Sequence, residues 1–189
     1  MTDSSDILDS KNKGIALIIA LLALMLAFSE LGGSNADNEA IETNVEASNL
    51  WAFFQAKTIR RTSTQLAMQD MQIRLAGTTE PAQKEAMEKL IVEWRDAIAR
   101  YDSDPKENDG RKELMVRARA AEDSRKINKA KGDIYDISSA LLQIGIVLAS
   151  ATIITGIVML SWLAIGLGAI GLILMGFAYL SPLTLAAFL

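Results

Sequence analysis

Long apolar runs and charged runs with a helical period divide the chain between them. Residues 14–31 are apolar from Gly14 to Phe28 and close with Ser29, Glu30 and Leu31. As a helix they rise roughly 27 Å, enough to cross a hydrocarbon layer. Ala27-Phe28-Ser29 resembles the small-x-small cleavage site of a secretory signal. We read the segment as a retained signal-anchor helix. Residues 137–160 and 161–180 are two further apolar runs of spanning length. Ser161-Trp162 is the candidate turn between them, with Trp162 suited to a membrane interface. Residues 1–13 are polar and read as a short exposed tail, whereas residues 181–189 form an apolar tail.

Between the first two runs lies a charged stretch, 32–136. Gly32-Gly33-Ser34-Asn35 reads as a break followed by a helix cap, with Asp37, Glu39 and Glu42 suited to the positive first turns. From Ala36 to Ala76 there is neither Gly nor Pro. A stripe recurs there at alternating steps of four and three: Ile41, Val45, Ser48, Ala52, Gln55, Ile59, Thr62, Leu66, Gln69 and Ile73. That spacing predicts a coiled-coil seam. Its middle is polar, and such layers fix register and partner number. Gly77 to Pro81 is a turn, with Thr79 expected as the cap and Pro81 in the first helical turn. Residues 82–101 form a helix presenting Met87, Leu90, Ile91, Trp94, Ile98 and Tyr101 on one face. Residues 102–110 form a polar loop. Residues 111–136 form a third helix whose stripe, Leu114, Ala118, Ala121, Ser124, Ile127, Ala130, Ile134 and Ile137, is small where the first long helix is bulky.

As helix, residues 36–76 rise about 60 Å, and the two later helices end to end cover roughly 65–70 Å. The third must end where the next apolar run begins. The economical arrangement is a long antiparallel hairpin with one unbroken limb. The expected fold class is therefore an all-α membrane protein. It has three transmembrane helices and a helical hairpin, coiled-coil insert between the first and second.

Composition narrows the chemistry. Half of the 189 residues are hydrophobic while 22% are charged, which is compatible only with segregation into membrane runs. There is no Cys and no His, which removes thiolate chemistry and the commonest general base and metal ligand. A net charge of −4 argues against nucleic acid as a partner. The carboxylates of 102–110 do not have calcium-loop spacing, and Pro105 interrupts them, so a solvated loop is the reading. Glu30 reads as a helix-end carboxylate at headgroup level rather than an ion or proton ligand. The basic cluster Arg125, Lys126, Lys129 and Lys131 is open to two readings: attraction to anionic lipid, or an ordinary charged face. No phosphate loop, nucleophile–base pair or metal spacing occurs, so neither an enzyme nor any cofactor or metal is expected.

The candidate residues are therefore ones of contact. Trp51, Phe53 and Phe54 fall within four positions, beside Ser48 and Gln55 of the polar seam. Two stripes on one helix want two partners, so Ser48, Trp51, Phe54 and Gln55 are expected to serve association, mainly as a homo-oligomer. In the apolar runs, Gly145 with Ala149, Thr152 with Gly156, and Ala164 with Gly168 form small-residue rows that permit close helix approach. Gly166, Gly171 and Gly176 add to the last of these. The expected partners are membrane lipid, further copies of the chain and another membrane complex. A scaffold or docking subunit is the leading function, and a channel or transporter accessory subunit the alternative.

The segment from Asn44 through Ser48-Asn49-Leu50-Trp51-Ala52-Phe53-Phe54-Gln55-Ala56-Lys57 to Arg60 resembles the signature helix of a bacterial membrane-protein family, domain of unknown function 4337. The resemblance covers nearly the whole chain. It implies a multi-pass protein of the bacterial inner (cytoplasmic) membrane and no known activity. Members carry a basic turn between the last two spans, which would place the insert outside. This chain has no Lys or Arg there. The cluster near residue 125 favours a cytoplasmic insert instead. Both orientations stand.

Overall fold

The computed structural model describes residues 3–186, with side chains described for 12–184. Every element in that range is helical: α1 (Asp3–Gly77), α2 (Pro81–Asp102), α3 (Arg111–Thr155), α4 (Val158–Leu180) and α5 (Pro182–Ala186). Three of these helices are long and apolar enough to cross a membrane: α1, α3 and α4. Residues group into two compact units, Met1–Ile41 with Arg125–Leu189, and Glu42–Ser124.

Several helix boundaries differ from those expected, each for a local physical reason. Helix α1 takes in most of the polar start, since it begins at Asp3. Gly32-Gly33 does not break α1. A Cβ on Gly32 would lie 2.8 Å from the Tyr135 ring, and one on Gly33 would lie 3.3 Å from the Tyr135 Cβ. The pair is there to let α3 approach, and this contact outweighs the cost of about 1 kcal/mol per helical glycine. At the start of α2 the N-cap is Glu80, in extended conformation and without a side-chain cap bond, rather than Thr79. Pro81 explains this, since the residue before a proline is pushed out of the helical region.

The turn between the last two apolar runs is at Gly156-Ile157, not at Ser161-Trp162. Gly156 has φ +73°, the left-handed conformation that closes many helices. Its N–H donates to the Thr152 carbonyl at 2.9 Å, and the Ile157 N–H donates to the Thr155 hydroxyl at 3.3 Å. Gly156 is thus a helix terminator rather than a packing residue, and no atom lies within 4 Å of where its Cβ would be. Ser161 is buried inside α4, its hydroxyl donating to the Val158 carbonyl at 2.7 Å.

In the first unit, α1 and α3 run antiparallel. Ser29 donates to the Tyr135 carbonyl at 3.0 Å, and Lys129 lies 3.7 Å from Asp37. In the second unit, residues 42–77 of α1 pair antiparallel with the beginning of α3 and with α2. Trp51 meets Glu122 while Lys57 meets Asp109, and Thr78 meets Met87. The core there is Ala47, Leu50, Leu114, Ala118 and Ala121, with Trp51 and Phe54 against it. Most of α2 is exposed, and Ile91 is its buried residue.

Candidate interaction surfaces

The small-residue rows converge on one side chain of α1. Leu22, itself buried, sits where a Cβ on Gly145 would lie 3.4 Å from its Cδ1. A Cβ on Gly168 would collide with its Cδ2. A Cβ on Gly145 would also lie 3.3 Å from the Ala164 carbonyl oxygen, and Ala149 and Ala164 are fully buried. Gly145, Ala164 and Gly168 therefore form one three-helix contact, with Ala149 one turn further along α3. Nearby, the buried Ser138 hydroxyl donates to the Gly171 carbonyl at 2.9 Å, a bond that ties α3 to α4. Gly166 and Gly176 have open space where a Cβ would be, so they take no part. Leu22 carries no sequence signal of its own, since it is one leucine in an apolar run.

In the second unit Trp51 and Phe54 turn inward, towards their own chain. Their rings meet edge to face at 5.5 Å and 81°, a contact worth about 0.5–1.5 kcal/mol beyond burial. The Trp51 indole N–H donates to Glu122 at 2.8 Å, and the Arg111 guanidinium lies 5.1 Å from the Phe54 ring centroid. Arg111 also donates to the Thr58 hydroxyl at 2.9 Å and to Asp102 at 3.0 Å. Lys57 pairs with Asp109 at 2.8 Å and lies 5.7 Å from the Tyr101 ring. The polar loop is thus tied down at its ends. From the first turn of α3, Glu113 accepts from the Ser103 hydroxyl at 2.6 Å and from the Asp104 N–H at 3.1 Å. The Ser103 bond does most to hold the Glu113 carboxyl below the usual carboxylate range, against a smaller opposing effect of burial. Gly110 is required here, because a Cβ would strike the Asp104 backbone nitrogen.

Ser48 and Gln55 face the other way. Every position of the expected seam, from Ile41 to Ile73, is exposed. Ile59 is 66% exposed and Ile73 74%. The stripe that packs in the second unit is Thr43, Ala47, Leu50, Phe54, Lys57, Arg61, Thr64, Met68, Met71 and Leu75, all buried or half-buried. It has the same alternating steps of four and three. Beside the free stripe, Phe53 is 62% exposed and lines an open cleft of about 410 Å³ with Val45, Asn49 and Arg117.

A polar cleft in the first unit escaped the sequence reading. It measures about 510 Å³ and is lined by Glu30, Ser34, Asp37, Asn38, Asp136, Ser139, Ala140 and Gln143. Gln143 donates to Glu30 at 3.4 Å. Nearby, Asp133, 2.9 Å away, raises the Lys129 ammonium above the usual lysine range, with help from Asp37. Among the described residues no group of three or more His, Cys, Asp or Glu could hold a metal ion.

No curated protein and no solved structure matches the chain. The family described as a domain of unknown function (DUF4337) matches residues 11–181. That range takes in the three apolar helical segments, the aromatic-rich segment of α1 and the glycine contacts around Leu22, and by it the chain belongs to the DUF4337 family.

Proposed function

We propose that the chain is a membrane-anchored helical scaffold or docking subunit that self-associates and has no catalytic activity of its own. In this reading the apolar parts of α1, α3 and α4 form a multi-pass anchor. The residues between the first two spans form a helical hairpin insert. The carrying observation is the free stripe of α1. A solvated helix face has no reason to repeat apolar residues at every seventh position, Val45, Ala52, Ile59, Leu66 and Ile73, over some thirty residues, so the repeat marks a contact surface. The test is native mass spectrometry of the full chain released from lipid nanodiscs. A homo-oligomer is expected. A monomer without a bound protein overturns the proposal.

A further inference from the structure

After Ile41, an apolar d position at its start, the free stripe has two kinds of layer that do not mix. Assigning heptad letters from the spacing, the a positions are Val45, Ala52, Ile59, Leu66 and Ile73, all apolar. The d positions between them are Ser48, Gln55, Thr62 and Gln69, all polar and uncharged. We propose that this stripe pairs in parallel and in register with the same stripe of a second copy of the chain, forming a two-stranded coil. The proposal rests on the self-association above and names its surface and geometry.

The occupant follows from the chemistry of the layers. Gln, Ser and Thr side chains each carry both a donor and an acceptor, so each can bond to its own copy across a two-fold axis. A hydrocarbon layer offers nothing to four polar layers, and an apolar partner helix would leave them unpaired. The direction follows from the segregation. In a parallel pair a meets a and d meets d, so apolar layers and hydrogen-bonded layers alternate cleanly. In an antiparallel pair a meets d, which would set Ala52 or Ile59 against Thr62 or Gln55 in every layer. β-branched residues at a, here Val45, Ile59 and Ile73, are the a residues of two-stranded coils, and the polar d layers take the place of their usual Leu as the device that sets register and partner number. The flanks agree: among Asn44, Asn49, Trp51, Ala56, Thr58, Ser63, Gln65, Asp70 and Gln72 the one charge is Asp70, which meets Gln65 across a parallel pair, so no like charges come together. The layers run from Val45 to Ile73, about 42 Å of helix.

The chain has no cysteine, so single-cysteine variants report cleanly. In the full chain in lipid, Gln55→Cys and Gln69→Cys are each expected to give a disulfide-linked dimer as the major product under mild oxidation. Glu46→Cys and Arg60→Cys, exposed on other faces, should stay largely monomeric. Mixing Ala52→Cys with Thr62→Cys chains should give only same-position dimers. A 52–62 product would overturn the parallel register. Ile59→Asp serves as a second variant, because the position is exposed within its own chain and the substitution leaves that chain's packing alone. Dimer affinity should fall roughly 100-fold. An oligomer that persists without cross-links at 55 or 69, or that ignores Ile59→Asp, sinks this proposal and leaves self-association through another face standing. A monomeric wild type sinks both.

Discussion

The two units hold together by different means. In Met1–Ile41 with Arg125–Leu189, helices close on each other by omission: glycines at 32, 145, 168 and 171 make room for Tyr135, Leu22 and Leu142. Hydroxyls then bond to neighbouring carbonyls, Ser29 to Tyr135 and Ser138 to Gly171. This suits an apolar solvent, where burying hydrocarbon gains little and close contact with satisfied polar groups gains most. In Glu42–Ser124 the gaps are filled rather than removed, with Trp51 and Phe54 packed against a core of Ala47, Leu50, Leu114, Ala118 and Ala121 and ion pairs gathered at Asp102. That suits water, where aromatic area is the main driving term and exposed ion pairs add little. The contrast teaches that small residues mean different things in the two units: on α3 of the second, Ala is a floor for aromatics, while in the first it marks helix contact.

The comparison can be broken from either side. The largest expected effect is in the second unit. Trp51→Ala with Phe54→Ala should cost about 2–3 kcal/mol for each ring, below the ~3–5 kcal/mol of fully buried aromatics because both are partly exposed. The loss should appear as a lower melting temperature and as protease sensitivity within 42–124. Because both rings pack inside their own chain, dimers should survive in the fraction that stays folded. A double variant as stable as wild type would contradict the aromatic core.

In the first unit, Gly168→Leu drives a side chain into Leu22. It should cost about 1–3 kcal/mol or more of detergent stability. Gly176→Ala, with open space at its Cβ, should stay within about 0.5 kcal/mol of wild type. Equal stability of the two variants would remove the close contact at Leu22.

The smallest expected effect concerns pH in the loop. Because folding lowers the Glu113 pKa, its stabilising effect is present above the unfolded carboxylate value of 4.5 and is lost as pH falls through the folded value. Ser103→Ala removes the main cause of that shift. The variant's melting temperature should then depend less on pH between about 5 and 3 than the wild type's. Parallel pH profiles for the two proteins would assign the shift elsewhere.

Much of the architecture was legible in the sequence because apolar length is a direct physical requirement for crossing a bilayer. The helices of 36–136 were legible from period and from the absence of Gly and Pro. What the period could not reveal was which stripe of α1 faces inward. Both Thr43–Leu75 and Ile41–Ile73 keep the same 3.5-residue repeat, and the period by itself singles out neither. The neighbour decides, because the Ala row of α3 accepts the bulky Leu50 and Phe54. Glycines are hard to read for a related reason: Gly168 marks the close approach expected of it, whereas Gly32 does not break its helix and Gly156 ends one instead of packing. Gly32, Gly156 and Gly168 look alike in sequence, yet one admits Tyr135, one ends a helix at positive φ, and one admits Leu22. Each role is set by residues more than a hundred positions away or by a dihedral angle that no periodicity encodes.

The central claim is that α1 packs one heptad stripe inside its chain and the other on a second copy. Spin labels placed singly at Ser48→Cys and at Gln69→Cys, in the otherwise cysteine-free full chain in lipid, test it most directly. Helix axes about 8–10 Å apart predict short label-to-label distances at both positions. An antiparallel pair would instead separate the two labels at each position by roughly 30 Å along the axis. No dipolar coupling at either position would contradict the claim outright.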